Sequence, residues 1–379
     1  MKHRISKNRR VVLIGATILL LSSAGFLSRN YFERRFFEPT GTKLEQGLKS
    51  DPSQPPQTVA QNLTVPWEIA FLPGGDKLVT ERSGTLKRIG GSNQVYNVSG
   101  VEHVGEGGLL GLAIHPEFAQ NRYIYIYQTT KAGGGLVNRV DRYRYSESGL
   151  SEKFTIIDNI TGAPNHDGGR LAFGPDKLLY ITTGDAGQED AAQDTNSLAG
   201  KILRLKGDGN LPADNPFGNA VYSYGHRNPQ GIAWDDKGRL WATEHGRSGL
   251  ESGFDELNLI KKGSNYGWPL IEGDQKGTGM ESPVAQSGAN ETWAPAGLAY
   301  LDGSLFFGGL RGESLYEATI SGDNVSLKNH YRGEFGRLRA VASDSGRFLY
   351  ISTSNTDGRG KPSPDDDRII RFNPILFRN

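Results

Sequence analysis

Six apolar triplets recur along this chain, each leading through a polar turn into a short β-rich run. No other feature limits its possible folds so strongly. The copies are Ile69-Ala70-Phe71, Leu112-Ala113-Ile114, Leu171-Ala172-Phe173, Ile232-Ala233-Trp234, Leu298-Ala299-Tyr300 and Val341-Ala342-Ser343, with starts 43 to 66 residues apart. A period of that size fits one four-stranded blade per copy, with long loops inserted in the middle blades. The expected fold is therefore all-β, a six-bladed β-propeller of four-stranded antiparallel blades. The run Arg368-Ile369-Ile370-Arg371-Phe372 is expected to pair near Thr64 and close the ring, which removes exposed sheet edges. A β-sandwich is the alternative, but six such hairpins are too many for an ordinary one. The 51 glycines favour turn-rich β architecture over long helices.

The propeller is expected to be preceded by an N-terminal hydrophobic anchor helix. Residues 1–10 carry Lys2, Arg4, Lys7, Arg9 and Arg10, and a largely apolar run follows from Val11 to Leu27. As a helix that run spans about 25 Å, a little short of a hydrocarbon core, so a cleaved signal peptide and an uncleaved anchor both fit. The small residues Ser22-Ser23-Ala24 suit cleavage, whereas the flank with Arg29, Arg34 and Arg35 suits it poorly and favours the anchor. The basic cluster then stays in the cytoplasm and the remainder faces outward, in the periplasm or at the outer cell surface. The expected organisation is a cytoplasmic segment 1–10, an anchor or signal segment 11–28, a Pro/Gln/Ser-rich flexible linker 29–60, and the propeller domain 61–379.

Several function classes lose support on composition. The 43 basic and 42 acidic residues leave a net charge of +1, with no basic surplus for nucleic acid. With no cysteine, disulfides, thiolate metal sites and thiol nucleophiles are excluded. The chain also lacks a nucleophile elbow, a phosphate-binding loop and a zinc His-Glu-x-x-His motif.

Three inter-strand loops are rich in functional groups. Asn165-His166-Asp167-Gly168-Gly169-Arg170 puts a histidine beside a carboxylate, which suits a general base, although a single turn histidine is often merely structural. Gly225-His226-Arg227-Asn228-Pro229-Gln230-Gly231 offers a planar fork of donors from Arg227, which the turn itself does not require. The third stretch joins Glu244-His245-Gly246-Arg247, Asp255-Glu256-Leu257-Asn258 and Asn265-Tyr266-Gly267-Trp268-Pro269. Its carboxylates and carbonyls are ligands that calcium accepts, and a solvated acidic turn explains them as well. Asp365-Asp366-Asp367 reads as a solvated charge run before the last strand.

In order, these strings resemble the family of soluble glucose/sorbosone-type dehydrogenases that use pyrroloquinoline quinone (PQQ). The resemblance rests on GGLLGLAIHPEF (107–118), HDGGRLAFGPD (166–176), GHRNPQG (225–231), DELN (255–258) and NYGWP (265–269), and it covers roughly Leu63 to Phe372. The family fold is itself a six-bladed propeller. The resemblance implies an enzyme that oxidises aldose sugars at the anomeric carbon to lactones, with PQQ and calcium as cofactors and an external electron acceptor. His166 would take the proton from the anomeric hydroxyl, with Asp185 orienting it. Arg227 and Asn228 would contact the quinone, and Arg337 and Arg339 would hold the cofactor carboxylates. Gly246 and Arg247 would offer backbone carbonyls to a calcium, while Glu256, Tyr266 and Asp274 match a second, structural calcium position.

The chain departs from the family pattern at several positions. Glu106 stands where glucose-oxidising members carry glutamine, and Asn165 where they carry aspartate, both near the sugar. Arg311 replaces a lysine that contacts the cofactor. A short insertion from Ser248 to Phe254 resembles the aldose-oxidising branch. Two other functions fit a six-bladed propeller, a calcium-dependent lactonase and a non-catalytic binding module.

Overall fold

The computed structural model describes residues 44–49, 55–249, 252–373 and 377. The basic segment and the hydrophobic run read as an anchor lie outside the described residues. Six sheets radiate from a common centre, and each apolar triplet falls in an innermost strand. These inner strands are Pro66–Phe71, Leu109–Ile114, Leu171–Phe173, Pro229–Trp234, Pro295–Leu301 and Leu338–Ser343. Each contacts its neighbours in the next blades, and the sixth contacts the first.

The triplets are apolar throughout because a blade is covered on both faces. Successive side chains of a strand point to opposite sides, so Leu78 packs towards the second blade with Leu109 and Leu112, while Val79 packs towards the sixth with Tyr350 and Ile369. Six apolar clusters result among the described residues, one in each cleft between adjacent blades. Each fully buried leucine or isoleucine contributes roughly 1.5–3 kcal/mol.

Ring closure differs from the expected pairing. The last strand, Ile369–Phe372, pairs antiparallel with Gln57–Ala60 rather than near Thr64. Gln57–Ala60 and Glu45–Gln46 both fall within 29–60, the stretch read as a linker, and both form strands. Glu45–Gln46 adds a parallel fifth strand to the outer edge of blade five, where Leu48 N–H donates to His330 Nδ1 at 2.9 Å. An outermost strand needs ladder hydrogen bonds on one side only, so it carries no apolar period. Only Val59 and Ala60 of the closing strand pack inward.

The triple aspartate is not a solvated run. Asp366 and Asp367 are buried. The Asp367 carboxylate accepts Val65 N–H at 3.2 Å from the first blade and Asn355 N–H at 2.5 Å from the last, fastening the ring at its seam. Asp367→Ala strands both amides, each worth about 1–3 kcal/mol. A loss of about 3 kcal/mol is expected in urea unfolding, and an unchanged midpoint would contradict the fastening role.

Candidate active site

Each innermost strand and its successor form a hairpin, so the residues entering the first and those leaving the second meet at one end of the ring. Glu106, His166, Arg227 and Arg337 precede inner strands, while Arg82, Asp185, His245, Arg311 and Asp357 follow second strands. A cavity of about 1050 Å³ opens there. Glu106, Asn165, His166, Gly246, Arg247, Arg311, Arg337 and Arg339 line it, as do Gln230, His245 and Arg359.

His166 occupies a left-handed backbone conformation, φ 58°. Its carbonyl comes so close to Gly184 that a Cβ there would lie 1.9 Å from it, which requires a glycine next to Asp185. His166 Nδ1 lies 2.7 Å from Asp185 Oδ1. Asp185 is fully buried and also accepts Gly187 N–H at 2.8 Å and Trp268 Nε1–H at 2.9 Å. Burial alone would raise the Asp185 carboxyl, but the His166 hydrogen bond and these further donors outweigh it and hold the group below the usual range. An ionised Asp185 keeps the proton of neutral His166 on Nδ1, leaving Nε2 as the ring nitrogen able to accept one.

Arg227 approaches from the neighbouring blade. It donates to His245 O at 3.5 Å and Ser248 Oγ at 3.2 Å, and its guanidinium lies 5.2 Å from the Trp268 ring centre. Its Nε is buried without a hydrogen-bond partner, as is His245 Nε2. Burial lowers the Arg227 guanidinium, and burial pushes the His245 imidazole down to about 4. Asn228 accepts Gly168 N–H at 3.0 Å and so ties the Arg227 loop to the His166 loop. His226 is a structural core histidine, bonded to Glu244 and Ser223 at 2.8 Å each and stacked on Tyr266.

The opposite wall carries surplus positive charge. Arg82, Arg337 and Arg339 are all buried. Arg337 Nη2 pairs with Asp357 at 2.8 Å, and Arg339 reaches the same carboxylate only at 3.9 Å. Burial, and next the charge of Arg82, push the Arg339 guanidinium down to about 9, so it remains cationic at neutral pH. Several buried cations beside one carboxylate suit a polyanionic ligand, and the unpartnered Arg227 Nε gives such a ligand a further donor to meet.

The calcium positions are less gathered. Among the described residues, no group of three or more His, Asp or Glu side chains converges on one point. Gly246 N–H donates to Asp255 at 2.9 Å, and Arg247 O accepts Gly253 N–H only at 3.4 Å, so that carbonyl is weakly engaged. Glu256, Tyr266 and Asp274 do not line the cavity. The Tyr266 hydroxyl is committed to Leu259 O and Lys261 N, which leaves only its backbone for a metal. Asp274 is exposed and bonded to Gln286, the ladder partner of Glu256. Burial, then Glu244, push the Glu256 carboxyl up to about 8, a cost that a nearby cation would relieve.

Comparison with known proteins agrees with this geometry. The family model described as Glucose / Sorbosone dehydrogenase matches residues 63–370. The aldose sugar dehydrogenase YliI of Escherichia coli is 32% identical, over 80% of this chain and 90% of its own. Quinoprotein glucose dehydrogenase B of Acinetobacter calcoaceticus is 33% identical, over 62% of this chain and 56% of its own. Among solved structures, the PQQ-bound aldose sugar dehydrogenase of Streptomyces coelicolor superposes with a TM-score of 0.78 at 45% identity, covering 83% of this chain and 96% of that one.

Proposed function

The chain belongs to the glucose/sorbosone dehydrogenase family, and from that premise we propose that it oxidises aldoses at the anomeric carbon to lactones, using PQQ and calcium and passing electrons to an external acceptor. The observation that carries the reading is one cavity lined both by His166, backed by Asp185, and by the buried Arg337/Arg339 pair. A proton acceptor and a polyanion cradle are the two parts such a reaction asks of its protein.

PQQ, a tricarboxylate quinone, supplies the hydride acceptor when bound. Arg337 and Arg339 would hold its carboxylates, with Arg311 as a further cation on the same wall. Arg227 and Asn228 would contact the ring, where the buried Arg227 guanidinium would stabilise negative charge. The Gly246 and Arg247 carbonyls are the donors offered to calcium. A second, structural calcium would draw on Glu256, the Tyr266 carbonyl and Asp274. His166 Nε2 takes the proton of the anomeric hydroxyl, while Asp185 stabilises the imidazolium that forms. Glu106 and Asn165 form the sugar-facing wall. We further propose that the domain faces outward on an N-terminal anchor.

Binding of PQQ by equilibrium dialysis, with and without calcium, tests the cradle. Saturable binding weakened by chelator is expected, and no binding would overturn the proposal. Asp185→Asn tests the couple, because the amide no longer enforces the Nδ1–H tautomer. A fall in kcat of roughly 10²–10⁴-fold with unchanged PQQ affinity is expected. A kcat within a few-fold of wild type would remove Asp185 from its role.

A further inference from the structure

Resting on the sugar-oxidising reading above, we infer that Arg359 is a specificity-determining residue. By fixing Glu106 as a carboxylate, it makes that position on the wall beside His166 accept hydrogen bonds only, so the preferred substrates are aldoses that present a free hydroxyl there.

Glu106 enters from the loop before the inner strand of blade two, and Arg359 from the loop before the last strand of blade six. Arg359 Nη1 spans the mouth of the cavity to Glu106 Oε1 at 2.8 Å, while Glu106 Oε2 accepts His166 N–H at 3.3 Å. One carboxylate thus touches both the loop of the general base and an arginine on the open side. The Glu106 side chain is 20% exposed and that of Arg359 56%. The Arg359 loop is itself anchored, since Arg359 N–H donates to Asp357 Oδ1 at 2.9 Å and Asp357 holds Arg337.

Burial would raise the Glu106 carboxyl, but the Arg359 hydrogen bond, with the charges of His245, Arg359 and His166, outweighs it and brings the group down to about 2. The nearby acid Asp167 is pushed the other way, by burial, to about 7, and Asp185 does not line the cavity, so Glu106 is the charged carboxylate on the cavity wall beside His166. A carboxylate offers lone pairs and no proton, whereas a glutamine in its place would both donate and accept. A sugar hydroxyl aimed at Glu106 is therefore matched. An ether oxygen at that position is not, because two acceptors then face each other without a hydrogen between them.

The test compares glucose with its 2-, 3-, 4- and 6-O-methyl ethers in turn, all of which keep the anomeric hydroxyl, in wild type, Glu106→Gln, Arg359→Met and Arg359→Lys. Glutamate and glutamine have nearly the same shape, so the bulk of the methyl group cancels between wild type and Glu106→Gln. At one hydroxyl position, methylation is expected to lower wild-type kcat/KM by roughly 100-fold or more. That penalty should shrink about tenfold in Glu106→Gln and also in Arg359→Met, while Arg359→Lys restores it. The exposed Arg359 side chain and the isosteric Glu106 exchange leave the fold intact. Equal methylation penalties in all four proteins, with brisk glucose turnover, would overturn this inference and leave the dehydrogenase reading standing. No turnover of any aldose would overturn both.

Discussion

Replacing His166 with alanine is expected to lower kcat by roughly 10³-fold while leaving PQQ affinity unchanged. The imidazole is 12% exposed, and its Nδ1 is committed to Asp185 at 2.7 Å, so the proton of the sugar hydroxyl has Nε2 as its destination. The buried arginines stand on other blades and lose no contact when the ring is removed. Turnover should therefore fail with the cofactor in place. Alanine strains the left-handed backbone at φ 58°, whereas asparagine tolerates that conformation. His166→Asn separates the two effects, because it restores backbone comfort without a base and should be as inactive as His166→Ala. Turnover near wild type in either variant would contradict the role.

Arg339→Ala is expected to weaken PQQ binding by about 100-fold or more, the usual scale for truncating a buried, charge-assisted contact. The effect on the empty protein should have the opposite character. Arg339 is buried within range of Arg82 and Arg337, and its link to Asp357 is long at 3.9 Å. Removing it relieves a buried charge and its repulsion at the cost of two long hydrogen bonds, to Ser354 Oγ and Gln230 Oε1 at 3.3 Å each, so the Tm of the cofactor-free protein should hold or rise. The increase in Tm that PQQ brings to wild type should shrink in the variant, since ligand stabilisation follows affinity. A lower Tm without PQQ, together with unaltered PQQ affinity, would make Arg339 a structural residue instead.

The repeat was readable in the sequence because inner strands are apolar on both faces, and six such runs at blade-sized spacing leave few alternatives. The closing strand was not readable. Gln57–Ala60 sits at an outer edge, where backbone pairing decides and side chains carry little signal. Asp367 was misread for a related reason, since its burial comes from Val65 and Asn355, which adjacency to Asp365 and Asp366 does not reveal.

Within the site, loop motifs brought out His166 and Arg227, and the family resemblance added the Arg337/Arg339 pair. They left Gln230 and His245 without a role and missed Arg82, Asp357 and Arg359; the side-chain partners of Gln230 and Arg359 lie in other blades. A usable signal existed for four of these. Aligning the repeats places Arg82, His245 and Asp357 just after second strands, as it does Asp185 and Arg311, and Arg359 follows in the same loop as Asp357. Polar residues at that register face the centre of the ring. The calcium residues were least readable, because backbone carbonyls can serve as ligands and any residue type supplies one.

The central claim, sugar oxidation with PQQ in this cavity, is tested most directly by reconstituting the full-length protein. The cofactor-free protein would receive PQQ and calcium, separately and together, with glucose and an artificial electron-accepting dye. Dye reduction that requires sugar, PQQ and calcium together is the expected result, accompanied by lactone formation. Tight PQQ binding with no dye reduction across a panel of aldoses would contradict it.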